Sequence, residues 1–168
     1  MKKQKSYAPE QYSSVCPYLM VESVEQQLNF LKVVFNAEIS EQLKSSDGSV
    51  QHGEACVGDS VIMMGKARPE WPISYGANYV FVDNVDDVYQ LALRHGASSL
   101  IEPADRYYGY REGGIKDLQG NTWWIAQVLE KLSEEEMQKR LLRFVRRIWG
   151  RIATTLRRPR GVRRSADG

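Results

Sequence analysis

The chain contains an internal repeat, and this repeat limits the folds open to it more than any other feature. Three segments recur in the same order, at offsets of 61, 60 and 62 residues. They are residues 21–25 over 82–86, 36–38 over 96–98, and 58–64 over 120–126. Self-similarity at a nearly fixed period indicates one supersecondary unit built twice.

Each copy has the pattern of a βαβββ unit. A short β-rich run precedes Ser23 or Asn84, whose side chains can cap a helix by accepting from its free N–H groups. Apolar residues then recur with a helical period as far as Asn36 or Gly96, which tolerate the left-handed conformation of a helix C-cap. Three strand-like runs separated by turn residues follow in each copy.

The segments outside the repeat complete the predicted domain organisation. We expect a disordered leader, a first βαβββ module, a Pro-rich linker, a second βαβββ module, a basic amphipathic helix and a disordered Arg-rich tail. Their predicted bounds are 1–14, 15–66, 67–76, 77–132, 133–158 and 159–168.

The composition is that of a reduced, cytoplasmic protein. Cys16 and Cys56 lack the spacing of a zinc finger, and two cysteines are too few for a disulfide framework. No apolar run approaches the roughly 20 residues that span a bilayer. The basic N-terminus has no apolar segment of a secretory signal behind it. We therefore expect cytoplasmic localisation.

Charge is divided unevenly along the chain. Residues 1–138 contain 12 Lys and Arg against 20 Asp and Glu, whereas residues 139–168 contain 11 basic residues against one acid. The two balances, −8 and +10, give the net charge of +2. An acidic body thus carries a strongly basic tail, and each part needs its own interpretation.

The duplicated βαβββ unit, together with three motifs, resembles the vicinal oxygen chelate superfamily of glyoxalases, bleomycin-resistance proteins and dioxygenases. The motifs are "CPYLMVESVEQQLNFLKVVFNAE" at 16–38, "HGEACVGDSVIMM" at 52–64 and "YYGYREGGIKDLQGNTWWIA" at 107–126. They are most similar to the PhnB-like, bleomycin-resistance-type branch, although Leu118 replaces the usual proline of the last turn.

This resemblance implies an α+β fold in which two tandem βαβββ modules form a half-open, barrel-like mixed sheet around a ligand. The C-terminal amphipathic helix is an addition to that fold. Homodimers are common in the superfamily, so we expect one here.

Metal-using members of the superfamily carry ligands early on the first strand and late on the last strand of each module. Carried over to this chain, those points are Cys16 or Pro17, Ile62, Ala77 or Asn78, and Trp124. Because Ile, Ala and Trp offer no donor to a hard divalent cation, we expect no metal there and no cofactor.

A different donor set lies on a single strand. His52, Glu54 and Cys56 alternate in sequence, so their side chains share one face of a strand. Such a row can bind Zn²⁺ or supply a base with an orienting carboxylate, and it can also be the polar edge of a half-buried sheet. We keep His52 and Glu54 as weak catalytic candidates and as ligand-pocket candidates, with a divalent metal as the alternative cofactor.

The candidate ligand-binding residues are mostly aromatic. Trp123 and Trp124 are adjacent on one strand and must point to opposite faces, and the resemblance places Trp124 on the concave one. Arg111 offers a forked donor that could orient an anionic or carbonyl group. The predicted ligand-binding set is Trp71, Tyr75, Tyr107, Tyr108, Tyr110, Arg111 and Trp124, together with His52 and Glu54.

The basic tail opens with a helix start signal at Ser133. One apolar stripe follows, formed by Met137, Leu141, Val145, Ile148, Ile152 and Leu156. The basic residues of 139–164 could contact an anionic membrane or nucleic acid. We favour a third interpretation, in which the stripe packs on the acidic body or on a dimer partner.

These observations favour a metal-independent small-molecule-binding protein of the bleomycin-resistance type. It would sequester a planar or aromatic organic ligand, such as an antibiotic, in an aromatic-lined cavity of a bacterial homodimer. The alternative is a metal-dependent lyase, isomerase or dioxygenase that uses His52 and Glu54. The sequence contains neither a nucleophile elbow nor a phosphate-binding glycine loop.

Overall fold

The computed structural model describes the backbone of residues 7–156 and the side chains of residues 7–148. The predicted Arg-rich tail and residues 1–6 of the predicted leader lie outside this range. The first module consists of β1 (Tyr18–Val21), α1 (Val24–Phe35), β2 (Glu38–Lys44), β3 (Val50–Val57) and β4 (Ser60–Lys66). The second module and the C-terminal helix consist of β5 (Ala77–Phe81), α2 (Val85–Arg94), β6 (Ser98–Asp105), β7 (Tyr110–Lys116), β8 (Thr122–Val128) and α3 (Glu134–Leu156).

Each module forms its own four-stranded mixed sheet. The strand orders are β1-β4-β3-β2 and β5-β8-β7-β6. In both sheets the first and last strands of the module pair in parallel, and the other neighbours are antiparallel. The predicted α+β class and the tandem βαβββ architecture are confirmed, and the two sheets are separate and open.

Both N-terminal ends and the C-terminal end of α1 lie where the sequence predicts them, whereas the C-cap of α2 is His95, one residue before the predicted Gly96. The side chain of Ser23 accepts from the backbone N–H of Gln26, and that of Asn84 accepts from the N–H of Asp87. At the other end of α1, Asn36 takes the left-handed conformation with φ of 52°. These caps satisfy backbone groups that a helix terminus otherwise leaves free.

One face of each sheet is covered by its helix. At Gly53 of β3, an added Cβ would lie 2.8 Å from a methyl carbon of Leu28 and 2.9 Å from one of Val24. Helix α1 therefore approaches the strand closely, because that position has no side chain. The opposite face of each sheet, which we call the open face, is left for other groups.

A buried polar network joins the two modules. Asp117, in the turn before β8, accepts from Nε2 of Gln27 at 2.9 Å and from the indole N–H of Trp123 at 2.8 Å. Asn121 donates to the side-chain oxygen of Gln27 at 3.2 Å. All four residues are buried, so these bonds are shielded from water and fasten the turn to helix α1 of the first module.

Helix α3 lies against the second module through few contacts. The ring of Phe144 packs on Tyr107 with centroids 4.9 Å apart, and Arg140 forms an ion pair with Glu130. Val145 and Ile148 of the predicted apolar stripe are exposed. Among the described residues, no helix has the length and apolar character that crossing a membrane requires.

Candidate functional site

Strand β8 carries the two adjacent tryptophans on opposite faces of its sheet. Trp123 is fully buried on the helix side, with its ring centroid 5.1 Å from that of Phe35. Trp124 lies on the open face and lines a cavity of about 840 Å³. The second tryptophan is therefore a cavity residue, whereas the first belongs to the core.

The neighbouring strand makes room for the Trp124 ring. Gly114 of β7 is the register partner of Trp124. A Cβ at this position would lie 2.7 Å from Cζ3 of Trp124 and 3.1 Å from a methyl carbon of Ile101. The indole can therefore lie across the sheet because position 114 has no side chain.

A buried carboxylate lines the same cavity. Glu112 accepts from the hydroxyl of Tyr79 at 2.5 Å and from that of Tyr108 at 2.8 Å. The guanidinium of Arg106 lies 3.6 Å from the other carboxylate oxygen. Burial and the bond to Glu112 raise the pKa of Tyr108 to about 12, and the same causes raise the pKa of Tyr79. Both phenols stay protonated at neutral pH and act as donors to Glu112.

Helix α3 forms the other side of the cavity. Four of its side chains line it, namely Arg140, Arg143, Phe144 and Arg147. The contact between Phe144 and Tyr107 joins the helix to the Tyr-rich loop. The sequence-based prediction did not include α3, Arg106 or Glu112 in the site.

The structure places Arg111 on the opposite face from the cavity. Its guanidinium donates to Asp86 of α2 at 2.6 Å and to Asp105 at 2.8 Å. The hydrogen bond from Arg111 holds the pKa of Asp86 below its usual range. Arg111 therefore does not line this cavity, and Arg106 is the β6–β7 arginine that does.

The alternation of side-chain direction along residues 110–114 indicates that Arg111 lies on the opposite face from Glu112. In "YREGG", period-2 geometry puts Tyr110, Glu112 and Gly114 on one face and Arg111 on the other. Because Trp124 pairs with Gly114, the face that carries Trp124 also carries Glu112. The sequence alone shows which of these residues share a face, but the pairing of β7 with β8 is needed to show which face carries Trp124.

The remaining predicted aromatic residues are divided between two regions. Tyr107 and Tyr108 line the cavity with Trp124, and Tyr110 packs edge-on against Tyr108 at 5.6 Å. Trp71 and Tyr75 of the predicted linker do not line it, and they are 58% and 67% exposed. The geometry therefore gives no support to these two as members of the site.

The open face of the first module carries a polar cluster. Nε2 of His52 lies 3.2 Å from Glu54, and its Nδ1 lies 3.3 Å from the hydroxyl of Tyr18. Glu54 is only 3% exposed and also accepts from the hydroxyl of Tyr12. That bond raises the pKa of Tyr12 to about 12. Tyr12 falls within the predicted leader, so that part of the leader contributes to this face.

The third member of this cluster differs from the predicted one. Oε2 of Glu41 on β2 lies 3.8 Å from Nε2 of His52. One donor atom from each of Glu41, His52 and Glu54 falls within 4.8 Å of the others, and Cys56 is not among them. The pairing of β2 with β3 supplies the third donor, which a pattern along one strand cannot indicate.

A comparison with known families decides what this architecture is. The family model described as "Glyoxalase/Bleomycin resistance protein/Dioxygenase superfamily" matches residues 13–125, which is more than half of the chain. The chain belongs to this superfamily.

A curated relative and two solved structures are similar to this chain at low sequence identity. The uncharacterised protein Mb0911c of Mycobacterium bovis is 24% identical over 136 residues, which is 74% of this chain and 90% of the relative. A PhnB protein from Bacillus cereus aligns with a TM-score of 0.58 at 17% identity, over 68% of this chain and 99% of that one. The fosfomycin resistance protein FosX from Listeria monocytogenes aligns with a TM-score of 0.54 at 16% identity, over 73% and 95%.

The metal positions of the superfamily do not fit a metal in this chain. Cys16, Ile62, Ala77 and Asn78 line a second cavity of about 530 Å³, but Trp123 and not Trp124 lies beside them. Within the described part of the chain, the one cluster of three His, Cys, Asp or Glu donors is Glu41, His52 and Glu54, none of which occupies these positions. A single thiol and a neutral amide cannot form the hard-donor chelate.

The strand register also corrects one predicted correspondence. Met63 of β4 pairs with Tyr18, as Trp124 of β8 pairs with Tyr79. The counterpart of Trp124 is therefore Met63, and Ile62 lies on the helix side in the core. The repeat alignment was shifted by one residue on this strand, and such a shift moves a side chain to the other face.

Proposed function

We propose that the protein binds a planar, aromatic organic compound, without a metal, on the open face of the second module. The observation that supports this most is the indole of Trp124, which lines the 840 Å³ cavity with Tyr107 and Tyr108. Aromatic walls provide large apolar area, and stacked ring pairs add about 0.5–1.5 kcal/mol each beyond it. The role is sequestration, and antibiotics belong among the compounds to be screened.

We also propose that the protein acts as a cytoplasmic homodimer. Tyr18, Tyr79 and Phe81 lie on the open faces of β1 and β5 and are exposed by about half or more in the single chain. Aromatic residues are enriched in protein interfaces. Light scattering should give twice the 19.2 kDa chain mass, and Phe81→Glu should shift it toward the monomer. A monomer at micromolar concentration would contradict the dimer.

The binding proposal can be tested with two tryptophan variants. A thermal-shift screen of aromatic metabolites and antibiotics supplies the ligand, and calorimetry gives its Kd. Trp124→Ala should weaken binding about tenfold or more, because about 1.4 kcal/mol of stacking and burial is lost. Trp71→Ala is the matched control, since that ring lies outside the cavity.

The two outcomes separate clearly. Retained affinity in Trp71→Ala with loss in Trp124→Ala supports the proposal. Equal affinity of Trp124→Ala and the unsubstituted protein for every compound found would place the binding site elsewhere and contradict it.

A second function has its own supporting observation. The donor atoms of His52, Glu54 and Glu41 are separated by 3.2 and 3.8 Å along two sides of the cluster. Tetrahedral Zn²⁺ with bonds of about 2.0–2.2 Å would require donor separations of about 3.3–3.6 Å. With an open fourth position, such a site is typical of a metal-dependent lyase, isomerase or dioxygenase.

Metal analysis distinguishes the two functions. One tightly bound equivalent of Zn²⁺, Mn²⁺ or Fe²⁺ that His52→Ala removes would support the second function and contradict metal independence. His95→Ala is the control, because His95 is the other histidine of the chain and ends α2. Retention of the same metal content in His52→Ala would exclude this cluster.

A further inference from the structure

The charges around the cavity of the second module are unequal. Four guanidiniums line it, those of Arg106, Arg140, Arg143 and Arg147. Two carboxylates do so, those of Asp105 and Glu112. The excess of positive charge lies in a cavity that also contains the indole of Trp124. A ligand of this cavity therefore contacts both guanidinium groups and an aromatic ring.

The carboxylates of the cavity are already paired. Glu112 has Arg106 beside it at 3.6 Å, and Asp105 accepts from Arg111 at 2.8 Å. Neither acid therefore needs a cationic ligand for neutralisation. A cationic ligand would instead meet the unpaired positive charge of the helix side.

Two of the four arginines have no carboxylate partner among the described residues. Arg140 is occupied by Glu130 and by Glu136, whose oxygen lies 3.1 Å from its Nε. No ion pair within residues 7–148 involves Arg143 or Arg147. Both guanidiniums are thus available at the cavity.

Their spacing on α3 favours a shared anion. Residues four apart lie on the same face of a helix, where like charges destabilise it by a few tenths of a kcal/mol. An anionic group placed between Arg143 and Arg147 would remove this repulsion and accept forked hydrogen bonds from both. Between them in sequence, Phe144 contacts Tyr107, so the charged pair stands beside aromatic surface.

We infer that the cavity takes an aromatic compound carrying an anionic group, such as a carboxylate, sulfonate or phosphate. Its ring packs against Trp124 and Tyr107, and Arg143 and Arg147 bind the acid. This inference rests on the proposed function, since it specifies the ligand of the same cavity. It also gives α3 a role, because the helix supplies the unpaired positive charge, whereas Arg106 of the βαβββ module lies beside Glu112.

Three probes with one ring system test the inference. 2-Naphthoate, 2-naphthamide and 2-naphthylmethylammonium differ in charge and share the naphthalene ring. We expect the full-length protein to bind naphthoate about tenfold more tightly than naphthamide, and the ammonium compound most weakly. Raising NaCl from 50 to 500 mM should weaken only naphthoate, because salt screens exposed charges.

Arginine variants of α3 locate the effect. In Arg143→Gln/Arg147→Gln the preference for naphthoate over naphthamide should fall to about one, with naphthamide affinity unchanged. Lys139→Gln/Arg146→Gln removes the same charge from residues of α3 that do not line the cavity, and it should keep the preference. An equal loss in both double variants would mean general attraction to the basic tail and would overturn the inference.

The remaining outcomes separate this inference from the proposed function. If naphthamide binds as tightly as naphthoate, and Trp124→Ala weakens both, the anionic class is wrong and the aromatic site stands. If neither probe binds in a manner that depends on Trp124, the inference fails, and the proposed function is then decided by the compounds found in the thermal-shift screen. Unfolding temperatures of all variants, measured alongside, show that each remains folded.

Discussion

Met63 on β4 and Trp124 on β8 hold the same place in the two modules, each opposite a tyrosine of the neighbouring parallel strand. Their partners on the other side differ. Met63 pairs with Glu54, whereas Trp124 pairs with Gly114. Where the side chain on the last strand is large, its antiparallel neighbour has none, and where it is smaller the neighbour is a buried carboxylate.

The same exchange continues one strand further. Glu41 stands beside Glu54 in the first module, and Ile101 stands beside Gly114 in the second. One scaffold therefore presents a polar cluster on one open face and an aromatic cavity on the other. The repeat determines which positions face the opening, and complementary changes of size and charge at paired positions determine the chemistry.

The turns that precede β4 and β8 differ as well. In the first module two residues, Gly58 and Asp59, join β3 to β4, and Asp59 is exposed. In the second module five residues, 117–121, join β7 to β8, and Asp117 is buried. The extra length lets the second turn reach Gln27 and join the two modules.

The largest change in the free energy of unfolding is expected from a substitution in the second of these turns. Asp117→Asn puts an amide N–H₂ where carboxylate oxygens accept from Gln27, Asn121 and Trp123. Buried donors would then face a donor, and the free energy of unfolding should fall by about 3 kcal/mol. Asp59→Asn, the corresponding change in the first module, should alter it by less than about 0.5 kcal/mol.

Urea unfolding followed by circular dichroism measures both variants. A loss in Asp117→Asn no larger than that in Asp59→Asn would mean that the turn network does not join the modules. The longer turn of the second module would then contribute no more to the free energy of unfolding than the shorter turn of the first.

A smaller loss of stability is expected when the glycine that pairs with Trp124 is replaced by a larger residue. Gly114→Ala places a methyl group 2.7 Å from the Trp124 ring, and overpacking of this kind costs about 1–3 kcal/mol. In a Trp124→Ala background the same change should cost less, because the closest group it would meet is absent and only the methyl carbon of Ile101, at 3.1 Å, remains. A double-mutant cycle on unfolding free energies gives the coupling. Additive effects would show that glycine and tryptophan are not a complementary pair.

Much of the fold could be predicted from the sequence because its signals are local. Ser23 and Asn84 cap the helices as expected, and the repeat alone indicates two equivalent modules. The sequence alignment of the repeat matched Ile62 with Trp124, although the strand register matches Met63. This one-residue error arose because no local pattern fixes the register of β4. The two modules have different turn lengths, so the sequence offset drifts just before the strand on which one residue decides the face.

The candidate site was predicted less completely because its parts meet only after folding. Trp124, Tyr107 and Tyr108 lie on or beside the predicted strands, and they share a cavity. Arg111 had the right chemistry, but the alternation of β7 points it toward Asp86. Glu41 and Arg143 lie on elements whose contacts with β3 and the Tyr-rich loop no local pattern indicates.

The smallest effect concerns pH and tests the acid of the second module. Burial and the hydrogen bond to Glu112 raise the pKa of Tyr108 from about 10 in the unfolded chain to about 12. A raised folded pKa favours the protonated form in the native state, so its contribution to stability is complete below about pH 10 and is lost between about pH 10 and 12.

Tyr108→Phe should therefore be less stable than the parent at pH 8 and should lose less stability as the pH rises from 9.5 to 11.5. Tyr75→Phe, on an exposed ring outside the cavity, should follow the parent curve. Parallel curves for Tyr108→Phe and the parent would mean that the Tyr108–Glu112 bond does not contribute to folding.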